Sequence, residues 1–175
     1  VTVQVGANSV DALDEVLATP LLPGGTSPSL YDNDLFNGAT LDPARVTATL
    51  TAPPPGVGID AAGQVTLPAN VVAGAYAFGY RICDVVAPAN CDTASVELVV
   101  APDAVDDTAT AVGGETLSAG VAGNDNRPPD AVYTLLVPPA LGTVIVATDD
   151  SYDYTPAAGA AGPDSFQYQL CLPPP

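Results

Sequence analysis

Apolar and polar residues alternate in five short stretches of the chain: Val1, Val3 and Val5; Val46, Ala48 and Leu50; Tyr76, Phe78, Tyr80 and Ile82; Val96, Leu98 and Val100; Phe166, Tyr168 and Leu170. A period of two puts such residues on one face of a half-buried β-strand. Turn signals lie between them, at Pro23-Gly24-Gly25, Pro53-Pro54-Pro55-Gly56, Ala62-Gly63, Gly113-Gly114, Arg127-Pro128-Pro129-Asp130 and Pro138-Pro139. No window shows helical periodicity bounded by caps. Val10 to Ala18 comes nearest, and its match to Val105–Val112 predicts an extended segment instead. The pattern predicts an all-β fold of many short strands.

The pattern also repeats. Val1-Thr2-Val3-Gln4-Val5 followed by Ser9-Val10-Asp11 matches Val96-Glu97-Leu98-Val99-Val100 followed by Ala104-Val105-Asp106, a shift of 95 positions from Val1 to Val96. Asn33-Asp34 matches Asn124-Asp125, and Phe78-Gly79-Tyr80-Arg81-Ile82-Cys83 matches Phe166-Gln167-Tyr168-Gln169-Leu170-Cys171 at a shift of 88. The unit is therefore about 90 residues, the size of a β-sandwich domain. In this frame residues 1–5 are the closing strand of a neighbouring unit, 6–101 form a first sandwich, and 102–175 form a second without its final strand.

A sandwich open at that position exposes an unpaired edge, which proteins normally cover. Two sources of the covering strand are consistent with the frame. The next repeat of one long polypeptide supplies it, or Val1, Val3 and Val5 of another copy do so by strand complementation. Burying three valines contributes roughly 5–9 kcal/mol before ordering costs. A head-to-tail contact that does not close generates a fibre.

Composition narrows the functions. The 175 residues are 47% hydrophobic, with 19 Pro and 16 Gly, so a packed core is within reach. Twenty acidic residues face three basic ones, a formal charge of −17. The cations are Arg45, Arg81 and Arg127; neither nucleic acid nor an anionic membrane surface is an expected partner. Without His or Lys there is no His-based triad, imidazole metal site or Schiff base. No apolar run reaches the roughly 20 residues of a membrane helix, so membrane insertion is not expected. The absence of Met is expected of a processed form or a segment of a larger product.

Several stretches carry a family resemblance: Ala104-Val105-Asp106-Asp107-Thr108-Ala109-Thr110, Gly123-Asn124-Asp125, Tyr31-Asp32-Asn33-Asp34 and the run from Tyr154 to Tyr168. Tyr80-Arg81-Ile82-Cys83 and Cys91-Asp92-Thr93-Ala94 complete the set. The sequence resembles the tandem Ig-like and cadherin-like repeats of bacterial surface and secreted proteins. That resemblance implies two tandem Ig-like β-sandwich domains, extracellular or cell-surface localisation, and a role in a filament, stalk or adhesin. The alternative is an adhesin domain that binds a protein or glycan ligand, although the long segment Pro20–Leu30 carries no aromatic residue.

Cys83 and Cys91 flank a seven-residue loop between consecutive predicted strands, a spacing at which a short hairpin brings them within disulfide range. Two reduced thiols in a reducing compartment are the other reading. By repeat logic the partner of Cys171 lies outside the given chain, or that thiol stays unpaired. Asp outnumbers Glu by seventeen to three, with Asp32, Asp34, Asp103, Asp106, Asp107 and Asp125 at turns and at the joint between units. Calcium ligation and the capping of turns by short acidic side chains both account for this pattern. Catalysis is not expected, because acidic pairs in the turns of a small sandwich lack a deep cleft.

Overall fold

The stretches with the clearest alternation form the longest ladders of an all-β fold. The computed structural model describes residues 1, 2 and 6–173. Val3 and Val5, on which the expected first strand rests, lie outside the described residues. In chain order the strands are β1 (Val10–Asp11), β2 (Glu15–Leu21), β3 (Thr26–Ser29), β4 (Leu35–Phe36), β5 (Ala39–Thr40), β6 (Val46–Thr51), β7 (Gly58–Ile59), β8 (Gln64–Thr66), β9 (Gly74–Asp84) and β10 (Cys91–Val100). There follow β11 (Leu117–Gly120), β12 (Val132–Val137), β13 (Gly142–Val146), β14 (Ser151–Pro156) and β15 (Gln167–Cys171).

The chain divides into two compact units: Val1–Val71 with Ala75–Val100, and Val72–Gly74 with Ala101–Pro175. In the first, a four-stranded sheet runs β2-β10-β9-β6, accompanied by the small sheets β1-β4-β5 and β3-β8-β7. β6 is antiparallel to β9, from Val46 opposite Asp84 to Thr51 opposite Gly79. β2 is parallel to β10, with Val96 opposite Glu15, Glu97 opposite Val16 and Leu98 opposite Leu17. Alternation on β9 and β10 turns Phe78, Tyr80, Ile82, Val96, Leu98 and Val100 inward, and all six are buried. The turn at Gly63 shows why a glycine is needed there. Its φ is +79°, and a Cβ would sit 2.6 Å from the Tyr31 ring.

The second unit pairs β11-β14-β13 in one sheet and β12-β15 in another. Its buried core among the described residues is Val121, Ala131, Tyr133, Tyr152 and Leu170, against sixteen buried residues in the first unit. Equivalent positions differ in the same sense. Phe78 and Tyr80 are buried, whereas Phe166 and Tyr168 on and beside β15 are only half-buried.

One expectation changes. Leu13 and Val105 play the same part in their units, as do Asp14 and Asp106. The unit start therefore repeats at a shift of 92, Ala12-Leu13-Asp14-Glu15 on Ala104-Val105-Asp106-Asp107, and not at the 95 that set Asp11 on Asp106. The shift of 95 followed the Ser-Val-Asp and Ala-Val-Asp triplets; the hydrogen bonds below follow backbone geometry. Val10–Ala18 is extended as expected, carrying β1 and the start of β2, whereas the segment Val105–Val112 that it matches forms no strand. The physical reason is the ladder partner. β2 is a strand because β10 lies beside it, and no such neighbour stands beside 105–112 among the described residues.

Candidate functional site

Asp34 follows a single 3-10 turn, Leu30–Asp32, whose first residues are fixed when Ser29 Oγ accepts the Tyr31 N–H. This turn aims the Asp34 carboxylate into the first unit, where the residue has no exposed surface. Its Oδ1 accepts the Leu13 N–H at 2.8 Å and lies 2.7 Å from the Tyr80 hydroxyl. That hydroxyl is also 2.9 Å from the Leu13 carbonyl oxygen. One aspartate thus satisfies the Leu13 N–H, and one tyrosine hydroxyl shares its single proton between that carboxylate and the Leu13 carbonyl, just before β2 begins. Asn33 adds a long contact, its Nδ2 donating to the Asp14 carbonyl at 3.5 Å.

The second unit builds the same latch. Asp125 Oδ1 accepts the Val105 N–H at 2.7 Å, and the Tyr168 hydroxyl lies 3.2 Å from both carboxylate oxygens and 3.4 Å from the Val105 carbonyl. Asn124 Nδ2 donates to the Asp106 carbonyl at 3.1 Å. Two further groups converge here: Asp107, with Oδ2 3.2 Å from the Tyr168 hydroxyl, and Tyr133, with its hydroxyl 3.3 Å from Asp125 Oδ2.

Burial of charge distinguishes the two latches. In the first unit, burial holds the Asp34 carboxyl above the ordinary carboxylate range, opposed by the Leu13 and Tyr80 hydrogen bonds. Glu15 is raised by burial and by the Asp34 charge. Asp34 Oδ2 and Glu15 Oε1 are both buried with no hydrogen-bond partner among the described residues. Burial also raises the Tyr80 and Tyr168 hydroxyls, and takes Tyr133 up to about 12. Asp107 is raised by its own partial burial.

These contacts place the aspartates singled out from the sequence. Asp34 and Asp125 hold backbone, and Asp107 touches Tyr168. Asp103 forms a backbone bridge with Asn126, at 3.0 and 2.8 Å. Asp32 and Asp106 are exposed. Among the described residues no group of three or more His, Cys, Asp or Glu side chains is arranged to hold a metal ion.

Two residues escaped the sequence reading. Asp14 accepts the Ser95 N–H of β10 at 2.8 Å, and that backbone hydrogen bond lowers its carboxyl below the usual range. Asp92 accepts the Ala12 N–H at 2.9 Å. The 92-residue shift is the signal that would have exposed Asp14, because it sets Asp14 on Asp106. Cys83 and Cys91 form a disulfide across the β9–β10 turn, while Cys171, at the end of β15, is a free thiol of intermediate exposure. β15 itself has β12 along one edge and no ladder partner along the other among the described residues.

Residues 100–171 match the family model for the bacterial Ig domain, so the likeness to bacterial Ig-like repeats is borne out over that part of the chain. No curated protein matches. Among solved structures, the chain aligns with an endo-fucoidan hydrolase of glycoside hydrolase family 107 at 16% identity and a TM-score of 0.41, over 98% of this chain and 28% of that one. It aligns with the extracellular cadherin domains 1–4 of protocadherin gamma B7 at 11% identity and a TM-score of 0.38, over 93% of this chain and 48% of that one. The chain thus spans between about a quarter and a half of these proteins, and likenesses of this strength carry no functional argument. No helix among the described residues is long and apolar enough to cross a membrane.

Proposed function

We propose that the chain is a structural repeat module of an extracellular bacterial surface filament or stalk, made of two tandem Ig-like sandwiches. The second is completed by a strand from a neighbouring unit. The observation that carries this reading is the contrast between two equivalent strands. β9 is flanked on both edges, by β10 and β6, whereas β15 has β12 as its one ladder partner among the described residues. The bacterial Ig domain match over 100–171 covers the unit in question. An open edge next to half-buried Phe166 and Tyr168 is a template for strand addition.

The strand arrives either from the next covalent repeat or from another copy. Electron microscopy of the purified chain at high concentration separates these routes. Linear polymers that vanish when residues 1–5 are deleted assign strand exchange between copies, and monomers with or without those residues assign covalent repeats. Failure of a specific antibody to label intact source cells overturns the surface reading altogether.

A further inference from the structure

The first unit records how a closing strand is held, at three points. Cys91, the first residue of β10, is bonded to Cys83 near the end of β9. Four residues on, the Ser95 N–H reaches Asp14 Oδ1. Val96, Leu98 and Val100, at five, seven and nine residues beyond the cysteine, are buried, the first two opposite Glu15 and Leu17 of β2.

Each receiving group has a counterpart in the second unit, and the Asp–Tyr latches fix the correspondence. Tyr80 and Tyr168 occupy the same place, so Cys83, three residues after Tyr80, corresponds to Cys171, three residues after Tyr168. Leu13 and Val105 correspond, so Asp14 corresponds to Asp106. Asp106 is exposed and takes no hydrogen bond to its carboxylate among the described residues, while its backbone carbonyl is held by Asn124 as that of Asp14 is by Asn33. Cys171 is therefore not an isolated thiol. Its equivalent in the sister unit is disulfide-bonded to the first residue of the closing strand.

We propose that the free edge of β15 accepts a cysteine-led strand of the Cys91–Val100 type, locked by a disulfide to Cys171 and registered by Asp106. Its occupant is a strand with apolar residues five, seven and nine positions after the cysteine, lying parallel to Asp107–Ala109 as β10 lies parallel to β2. This rests on the open-edge reading above and adds register and a covalent lock. The lock forms by exchange with a disulfide oxidant such as oxidised glutathione. The Cys171 thiolate attacks it and releases one glutathione thiolate; the incoming cysteine thiolate then attacks Cys171 Sγ and releases the second. Two thiols and one glutathione disulfide become one protein–strand disulfide and two glutathione thiols.

The test uses the whole chain in a glutathione redox buffer with the synthetic peptide Cys-Asp-Thr-Ala-Ser-Val-Glu-Leu-Val-Val, read by intact mass. A second peptide carries the cysteine two positions later, and a third replaces it with serine. Seating on the edge raises the effective concentration of the correctly placed thiol, so the first peptide is captured about tenfold or more over the displaced one. Cys171→Ser abolishes capture but leaves non-covalent binding of the serine peptide. Asp106→Ala lowers capture several-fold, and Asp130→Ala, at an exposed turn, leaves it unchanged. Equal capture of both cysteine peptides, with the serine peptide still binding, overturns the registered lock while the open-edge reading stands. If no peptide binds, both fall.

Discussion

At the scale of single residues, the chain spends its aspartates on its own backbone. Asp34 carries this furthest, since Oδ1 serves the Leu13 N–H and the Tyr80 hydroxyl while Oδ2 stays buried without a partner among the described residues, near raised Glu15. Asp34→Ala leaves the Leu13 N–H without its acceptor, while the Tyr80 hydroxyl keeps the Leu13 carbonyl, and should cost about 1–3 kcal/mol in urea unfolding. Asp34→Asn keeps the acceptor oxygen and removes the charge, so it should cost much less near neutrality. The pH dependence carries the sign. Folding raises the Asp34 pKa above its ordinary 3.8, so the folded state keeps this proton to higher pH than the unfolded chain does. This group therefore contributes most below 3.8, and its contribution is lost as pH rises through the folded value. Unfolding midpoints across pH 3.5 to 7 should show Asp34→Asn gaining on the native protein as pH rises. A constant difference between the two would refute the buried-charge account.

At the scale of elements, the β9–β10 hairpin is the best-secured piece of the fold, with a disulfide at its turn and buried valines along its length. Closing so short a loop contributes about 2.5 kcal/mol in the chain-entropy model. The Cys83→Ser/Cys91→Ser double variant should lose about that much stability, and reductant should lower the native protein by the same amount and leave the variant unmoved. This hairpin was also the most legible part of the sequence. Alternation of large apolar residues, from Tyr76 to Ile82 and Val96 to Val100, names the inward face, and two cysteines bracket the turn. Another element left a weaker mark. β3 is Thr-Ser-Pro-Ser, a strand whose pairing with β8 depends on a partner distant in the chain more than on its own hydropathy. The aspartates were visible as clusters, but the chemistry of Asp34 lies in its distance to Leu13 and Tyr80, 21 and 46 residues away. Only after folding does that proximity show Asp34 as a backbone latch.

At the scale of the whole molecule, the two units differ in the size of the core they bury among the described residues, and their stabilities should differ accordingly. The first buries sixteen core residues and the second five among those described. Stability follows buried apolar area at roughly 25 cal/mol per Å², so the second unit is the weaker. Differential scanning calorimetry should resolve two transitions, and hydrogen exchange should assign the lower to β11–β15 and the upper to β9 and β10. A strand that completes β15 binds only the folded second unit, so mass action predicts a rise in the lower transition alone. At a strand concentration a hundred times its dissociation constant, the rise corresponds to about 2.7 kcal/mol. The serine peptide of the Cys91–Val100 sequence is the ligand for this measurement, because it adds no covalent term. One cooperative transition for the free chain, or an upper transition that moves with the peptide while the lower stays fixed, would contradict a second unit that awaits its closing strand.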